Sequence, residues 1–220
     1  MTLNNAQDNL AAKDLHFLTG QVAESEALVM RYHYSKRVPG SVLMIGSLHE
    51  QGGLFGDQGP AAAAAFFSSP PTRWAESVIE LTRLVRRDDV KVPLSRLIAF
   101  CCKELKKRGF DLIVSFADRT QGHEGYVYRA CSWNYAGCNE RANDGVIMDG
   151  TFIPGRSCNA RFGTRSPAKL QEMFPDREIV PHYDEGKHLY WKALNKSGKK
   201  KAERLGLASK NWKALQSHAE

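Results

Sequence analysis

The sequence predicts an α/β (α+β) fold: a single mixed, mostly antiparallel central sheet flanked by helices, followed by a basic C-terminal tail. Three observations predict it. An amphipathic helix stands between two strand-like segments in the middle of the chain, hairpin-like strands flank that unit, and no segment repeats. A chain of 220 residues suits one domain, with room for an insertion or tail.

Taken in order, residues 1 to 13 are polar and expected to be disordered. Asp14 to Leu18 reads as a short strand. Gln21 to Arg31 fits a helix, with Glu24 and Glu26 early and Arg31 late to complement the helix dipole. Ser41 to Leu48 reads as a strand, then a turn at Gln51-Gly52-Gly53 and a second strand near Leu54. Gly59 to Pro71 holds five consecutive alanines, two phenylalanines and three prolines. The alanines favour helix and the flanks do not, so part buried strand and part loop is expected.

Ser77 to Val85 is a strand. Strict alternation puts Val78, Glu80, Thr82 and Leu84 on one face and Ile79, Leu81, Arg83 and Val85 on the other. The clearest helix opens at Pro93, with Leu94, Leu97, Ile98, Cys101 and Leu105 on one stripe, and stops at Gly109. Asp111 to Phe116 is a buried strand. A short helix near Glu124 to Cys131 and a strand at Trp133 to Cys138 follow. Residues 139 to 165 are polar and glycine-punctuated, with four arginines. Ser166-Pro167 caps a short helix ending near Phe174, and Lys187 to Ala193 is the last strand.

Composition excludes several classes. A hydrophobic content of 42% supports a packed core and excludes wholly disordered, collagen-like or coiled-coil chains. No apolar run approaches the roughly 20 residues that span a bilayer, and Met1 to Lys13 lacks a signal-peptide stretch. A cytoplasmic protein without a membrane partner is expected. The cysteines (101, 102, 131, 138 and 158) are odd in number and form no C-x-x-C pair. They read as reduced thiols, with Cys101 in the core, rather than as a disulfide framework or zinc site. Five of the seven net positive charges lie between Asn195 and Glu220, which suits a polyanionic partner.

Three segments then stand together: Tyr32-His33-Tyr34-Ser35-Lys36, Glu80-Leu81-Thr82-Arg83-Leu84-Val85, and Ser115-Phe116-Ala117-Asp118 with Gly122-His123-Glu124-Gly125-Tyr126-Val127-Tyr128-Arg129-Ala130. Their order and spacing, closed by Trp133-Asn134-Tyr135-Ala136-Gly137, resemble the Mom family of phage DNA-modification proteins from about Gln21 to Leu194. The resemblance implies a divergent GCN5-related N-acetyltransferase fold. It also implies transfer of a carbamoylmethyl group to N6 of adenine in DNA, which protects phage DNA from host restriction. On that basis residues 14 to 194 form an acyltransferase-like catalytic domain with a DNA-contacting insertion at 139 to 175, and residues 195 to 220 form the basic tail. The competing readings are an ordinary N-acetyltransferase acting on a small-molecule or protein amine, and a non-catalytic DNA-binding protein.

An acetyltransferase carries a glycine-rich loop before its long helix to cradle the coenzyme A pyrophosphate. Here that place holds Arg86-Arg87-Asp88-Asp89-Val90-Lys91-Val92-Pro93, without glycine. Acetyl-coenzyme A is therefore not the expected donor, and an acyl or glycine-derived donor stays open. Arg86, Arg87 and Lys91 are candidates to hold phosphates by side chain, with Tyr128 beside the donor.

The acceptor would be a weakly nucleophilic amino group inside a duplex. The site must hold a flipped adenine from double-stranded DNA, remove a proton and exclude water. Asp118, after the buried strand, is the first candidate base, with Ser115 nearby and Glu80 a second base. Tyr34 is placed to stack on or hydrogen-bond the adenine and His33 to move a proton. Tyr126 or Tyr128 is a candidate acid, one of the two being core. His33, Asp118 and His123 are candidate ligands should iron be used. Ser35, Lys36 and His123, the cluster Asn159, Arg161, Thr164 and Arg165, and the tail lysines Lys199, Lys200 and Lys201 are the expected DNA contacts.

Overall fold

The computed structural model describes residues 15–51, 58–70, 74 and 77–212. The segment expected to be disordered, the turn glycines Gly52 and Gly53, the strand near Leu54, and tail residues Lys213 and Glu220 lie outside the described residues. The chain divides into two compact units. The first comprises residues 1–116, 125–136 and 190–220; the second comprises 117–124 and 137–189.

The first unit is built on a seven-stranded sheet of order β1-β2-β3-β4-β5-β10-β6. The strands β1 (Leu15–Thr19), β2 (Val42–Gln51), β3 (Gln58–Ser68) and β4 (Val78–Arg86) run antiparallel in sequence order. β4 then pairs in parallel with β5 (Leu112–Asp118), across the helix α2 (Leu94–Lys107). Helix α1 (Val22–Tyr32) precedes β2, and α3 (Tyr126–Ala130), β6 (Asn134–Cys138) and β10 (Lys187–Ala193) complete the set. This is the expected mixed, mostly antiparallel sheet flanked by helices.

The alanine run is strand throughout. Ala61 to Phe67 are buried on a strand hydrogen-bonded on both sides, and both α1 and α2 contact it. Small side chains there let the helices approach the sheet closely, so tertiary burial overrides the helical preference of alanine. Phe66 packs with Leu28 and Val29 of α1 and with Ile45 and Val85. Burying such side chains contributes roughly 1.5–3 kcal/mol each. On α2, Leu97, Ile98, Cys101 and Leu105 are buried, as the periodicity predicts. Cys101 lies so close over β2 that a Cβ on Gly46 would sit 2.2 Å from its sulfur. Burial pushes the Cys102 thiol up to about 11, and Cys101 further still, which suits packing rather than nucleophilic roles.

Two expectations change. β4 does not alternate strictly. Phe66 pairs with Arg83 and Phe67 with Leu81, leaving Thr82 as an extra residue, a β-bulge held by the Thr82 hydroxyl donating to the Phe66 carbonyl at 3.1 Å. The bulge shifts the alternation by one, so Glu80 and Arg83 share a face with Phe66 and Ser68 rather than opposing each other. The basic tail is also not simply a tail. Asn195 caps the helix α6 (Lys196–Arg204), its side chain accepting the Gly198 N–H at 2.8 Å. Asn195 also donates to Asp111 at 2.7 Å, Ser77 donates to the same carboxylate at 2.8 Å, and buried Lys201 stands 3.6 Å from it.

The second unit is an ordered body where the sequence shows mainly a polar segment. β7 (Ala142–Met148) is the centre of a three-stranded sheet between β8 (Thr151–Pro154) and β9 (Ile179–Asp184). Helices α4 (Gly155–Phe162) and α5 (Pro167–Met173) cover one face, with Val146, Cys158 and Leu170 buried beneath. Ser166 caps α5 as expected. Among the described residues no helix is long and apolar enough to cross a membrane.

Candidate functional site

β4 and β5 pair only over Val78–Leu81 and Leu112–Ser115, although both strands run on. Where the ladder ends, Ser115 takes its place: the buried Ser115 hydroxyl donates to the Leu81 carbonyl at 2.7 Å. Ser115 Oγ also lies 2.8 Å from the Tyr128 hydroxyl. Ser115 has one proton and the carbonyl can only accept, so the Tyr128 O–H is the donor in that second bond.

Tyr128 is the core member of the tyrosine pair. Its ring packs on Trp133 at 5.2 Å and Tyr190 at 5.1 Å between centroids, and burial pushes its hydroxyl up to about 12. The fit around it is close: a Cβ on Gly125, which has φ +72°, would sit 2.3 Å from the Tyr190 ring. The ring expected beside the donor thus lies in the core rather than on an open surface. Tyr126 is 67% exposed, with the Arg129 guanidinium 4.3 Å from its ring centroid.

The Thr82 bulge brings three further groups together. Burial pulls the Arg83 guanidinium down from its ordinary value, while Tyr34 and Glu80 act against that shift. Tyr34 and Glu80 also bear on the Tyr128 hydroxyl, so these four side chains share one electrostatic neighbourhood. Arg83 Nε donates to the Arg37 carbonyl at 3.2 Å, tying β4 to the segment after α1. That segment presents Tyr34, which is 46% exposed and packed on the His33 ring at 4.4 Å. The Ser35 backbone N–H donates to His33 Nδ1 at 3.1 Å, so neutral His33 carries its proton on Nε2. Lys36 is exposed and donates to the Arg31 carbonyl. Arg83 is the residue the sequence reading passed over. The missing signal was the bulge, since alternation alone turns Arg83 away from Glu80.

Other expected residues are engaged elsewhere. Arg87 donates to Glu50 at 3.2 Å and to Asp89 at 2.6 Å, and Arg86 donates to the Val92 carbonyl at 2.9 Å. Both arginines are thus tied to neighbouring groups, and Pro93 at the N-cap of α2 offers no N–H. Coenzyme A is not fitted by this loop; Lys91 remains exposed on it. Lys201 is buried against Asp111 and Ser77, which removes it from the DNA contacts, whereas Lys199 and Lys200 are exposed.

In the second unit, Asp118 caps a short 3-10 turn (Arg119–Gln121). Its carboxylate accepts the Thr120 N–H at 3.0 Å, and its carbonyl accepts the N–H of exposed His123 at 3.0 Å. Among the described residues no three His, Cys, Asp or Glu side chains form a group able to hold a metal ion; His33 lies in the first unit, Asp118 and His123 in the second. Asn159, Thr164 and Arg165 border one concavity; Arg161 is exposed on α4 outside its lining. The same unit carries a pair absent from the sequence reading. His182 Nδ1 lies 2.6 Å from the Asp144 carboxylate, with the Phe152 ring 4.5 Å from the imidazole. No spacing joins Asp144 to His182, since only the β7–β9 pairing brings them together.

The sheet, the parting of β4 from β5 and the polar group at that point define an α+β protein. The chain matches the Mom protein family over residues 14–212 and belongs to it. That membership supports phage DNA modification as its class of function. No curated protein matches the sequence. Among solved structures it is similar to the ribosomal-protein-S18-alanine N-acetyltransferase from Escherichia coli, at 11% identity and TM-score 0.48, covering 82% of this chain and 94% of that one. It is similar also to a probable acetyltransferase from Staphylococcus epidermidis, at 7% identity and TM-score 0.49, covering 82% and 99%. An acetyltransferase from Bacillus subtilis in complex with CoA aligns at 12% identity and TM-score 0.47, covering 82% and 99%. Likenesses this distant say nothing of substrate or chemistry.

Proposed function

We propose that this protein is a transferase that places a carbamoylmethyl group on N6 of adenine in phage DNA. Family membership supports the class of function. The observation that carries the chemistry is the Thr82 bulge, which sets Glu80 and Arg83 on the face that Tyr34 borders. The adenine amino nitrogen is a poor nucleophile because its lone pair is delocalised into the ring, so attack must be assisted by loss of a proton. Tyr34 is exposed and stacks on the flipped base. Glu80 accepts the N6 proton as N6 bonds to the methylene carbon of the carbamoylmethyl group and the bond from that carbon to its carrier breaks, the carrier leaving with the electron pair; the Arg83 cation stands beside Glu80. Glu80 is preferred to Asp118 as the base because the Asp118 carboxylate already caps a turn. Tyr128 and Ser115 act as positioning residues that fix the end of β5 beneath this group. The donor carries the methylene carbon of the carbamoylmethyl group on a leaving group, as a glycine-derived carrier would; the loop before α2 disfavours coenzyme A, and with it the ordinary acetyltransferase reading.

The test is nucleoside mass spectrometry of plasmid DNA from phage-infected cells expressing the protein. Adenine carrying the carbamoylmethyl mass is expected. Glu80→Gln should lower its yield 100-fold or more while DNA affinity stays within twofold. A different added mass would overturn the transferred group. Unmodified DNA from well-folded protein would overturn the enzymatic reading.

A further inference from the structure

The concavity of the second unit has an unusual lining. It measures about 570 Å3, within the roughly 300–1,000 Å3 of ligand pockets. Its polar lining includes Asn143 from β7, Asn159 from α4, Thr164 and Arg165 from the connection, and Lys169 from α5. Thr164 is used internally, accepting the Ser166 N–H at 3.1 Å. The other four are uncommitted: among the described residues neither carboxamide is hydrogen-bonded through its side chain, and neither cation is in an ion pair. No acidic residue lines the concavity, and none occurs between Gly155 and Gln171, although acids outnumber bases in the unit as a whole. Arg165 and Lys169 thus stand in a concavity with no acid on its wall, an arrangement that suits an anion.

The two kinds of side chain answer two parts of one ligand. Arginine and lysine suit a phosphodiester. A carboxamide presents donor and acceptor side by side and suits a base edge. We propose that this concavity is a single-nucleotide subsite that reads one base of the bound DNA other than the modified adenine, with the phosphate on Arg165 and Lys169 and the base edge on Asn143 and Asn159. The proposal rests on the DNA-modification reading and adds to it the residues that set sequence context.

The experiment uses the full-length protein and a pool of duplex oligonucleotides with a fixed adenine and the other positions randomised. Bound duplexes are sequenced, and affinities of single duplexes are measured by fluorescence anisotropy at several salt concentrations. The wild-type protein should show a preference at one or more positions other than the adenine. Asn143→Ala or Asn159→Ala should relax that preference tenfold or more at one position, leaving affinity for the poorest duplexes within twofold. Arg165→Ala and Lys169→Ala should weaken all duplexes alike and flatten the salt dependence by about one ion each. Thermal melting of each variant should match the wild type, since three of these side chains are exposed and none is hydrogen-bonded. A wild-type preference that survives both asparagine variants unchanged would sink the subsite while leaving DNA modification intact. No binding to any duplex would sink both.

Discussion

Tyr128 shows how a single side chain can be read wrongly from its motif and rightly from its surroundings. Its hydroxyl is pushed up to about 12 chiefly by burial, so it is a neutral donor to Ser115 at physiological pH and not a base. The folded state holds this proton more tightly than the unfolded chain, whose tyrosine titrates near 10. The stabilisation is therefore fully present below pH 10 and is lost as pH rises from 10 through about 12. Over that window the loss amounts to about 3 kcal/mol. Tyr128→Phe should be less stable at pH 8 by about 1 kcal/mol, the worth of the lost hydrogen bond. Its stability should then fall less steeply than the wild type between pH 10 and 12, so that the two urea midpoints converge or cross. Parallel alkaline profiles would show that the hydroxyl is solvated rather than buried.

Among the elements, α6 is where charge composition misled and capping geometry corrects it. Asp111 ties the start of β5 to α6 through Asn195, Ser197 and Lys201, and also accepts from Ser77. These contacts, led by the Asn195 hydrogen bond, hold its carboxyl below the usual value of 3.8. A depressed carboxyl stabilises the fold above its unfolded value and stops doing so as pH falls through its folded value. Asp111→Asn should lower Tm at pH 7 by about 4–8 °C, corresponding to roughly 2 kcal/mol for hydrogen bonds to a charged group. The deficit should shrink as pH falls below 3.8, where the carboxyl of the unfolded chain takes up its proton before the folded one does, and vanish below the folded value. Calorimetry at pH 7 and pH 3 reads both; an unchanged Tm at pH 7 would show that α6 is held without Asp111. The sequence makes α2 legible because Pro93, Gly109 and a 3.6-residue stripe all agree. It hides the Thr82 bulge because a bulge is a property of two strands, and the partner, an alanine run, carries no register signal. It hides the second unit for a related reason. β7, β8 and β9 are short and interrupted by Gly145, Pro154 and Pro181, and only their mutual pairing makes them strands. The candidate site was legible as residue types at Tyr34, Glu80 and Ser115, but not as a grouping, and Arg83 was lost with the bulge.

For the whole molecule, the excess of positive charge separates into cations that hold the fold together and cations that face solvent, and the two kinds should fail differently. Lys201 is buried beside Asp111, whereas Lys199 and Lys200, one turn earlier on the same helix or less, are exposed. A lysine that contacts phosphate releases about one counterion on binding, which appears as the slope of log affinity against log salt. A lysine that neutralises an internal carboxylate releases none, because its charge is already balanced before DNA arrives. The double variant Lys199→Ala with Lys200→Ala should therefore bind all duplexes more weakly at low salt, with a slope shallower by about two, at unchanged Tm. Lys201→Met should do the reverse, lowering Tm while keeping the slope. Anisotropy titrations across salt, paired with thermal melts, separate the two. If the double variant keeps the full slope, Lys199 and Lys200 do not touch DNA, and the sequence-independent part of binding must come from other exposed cations such as Arg156 and Arg161.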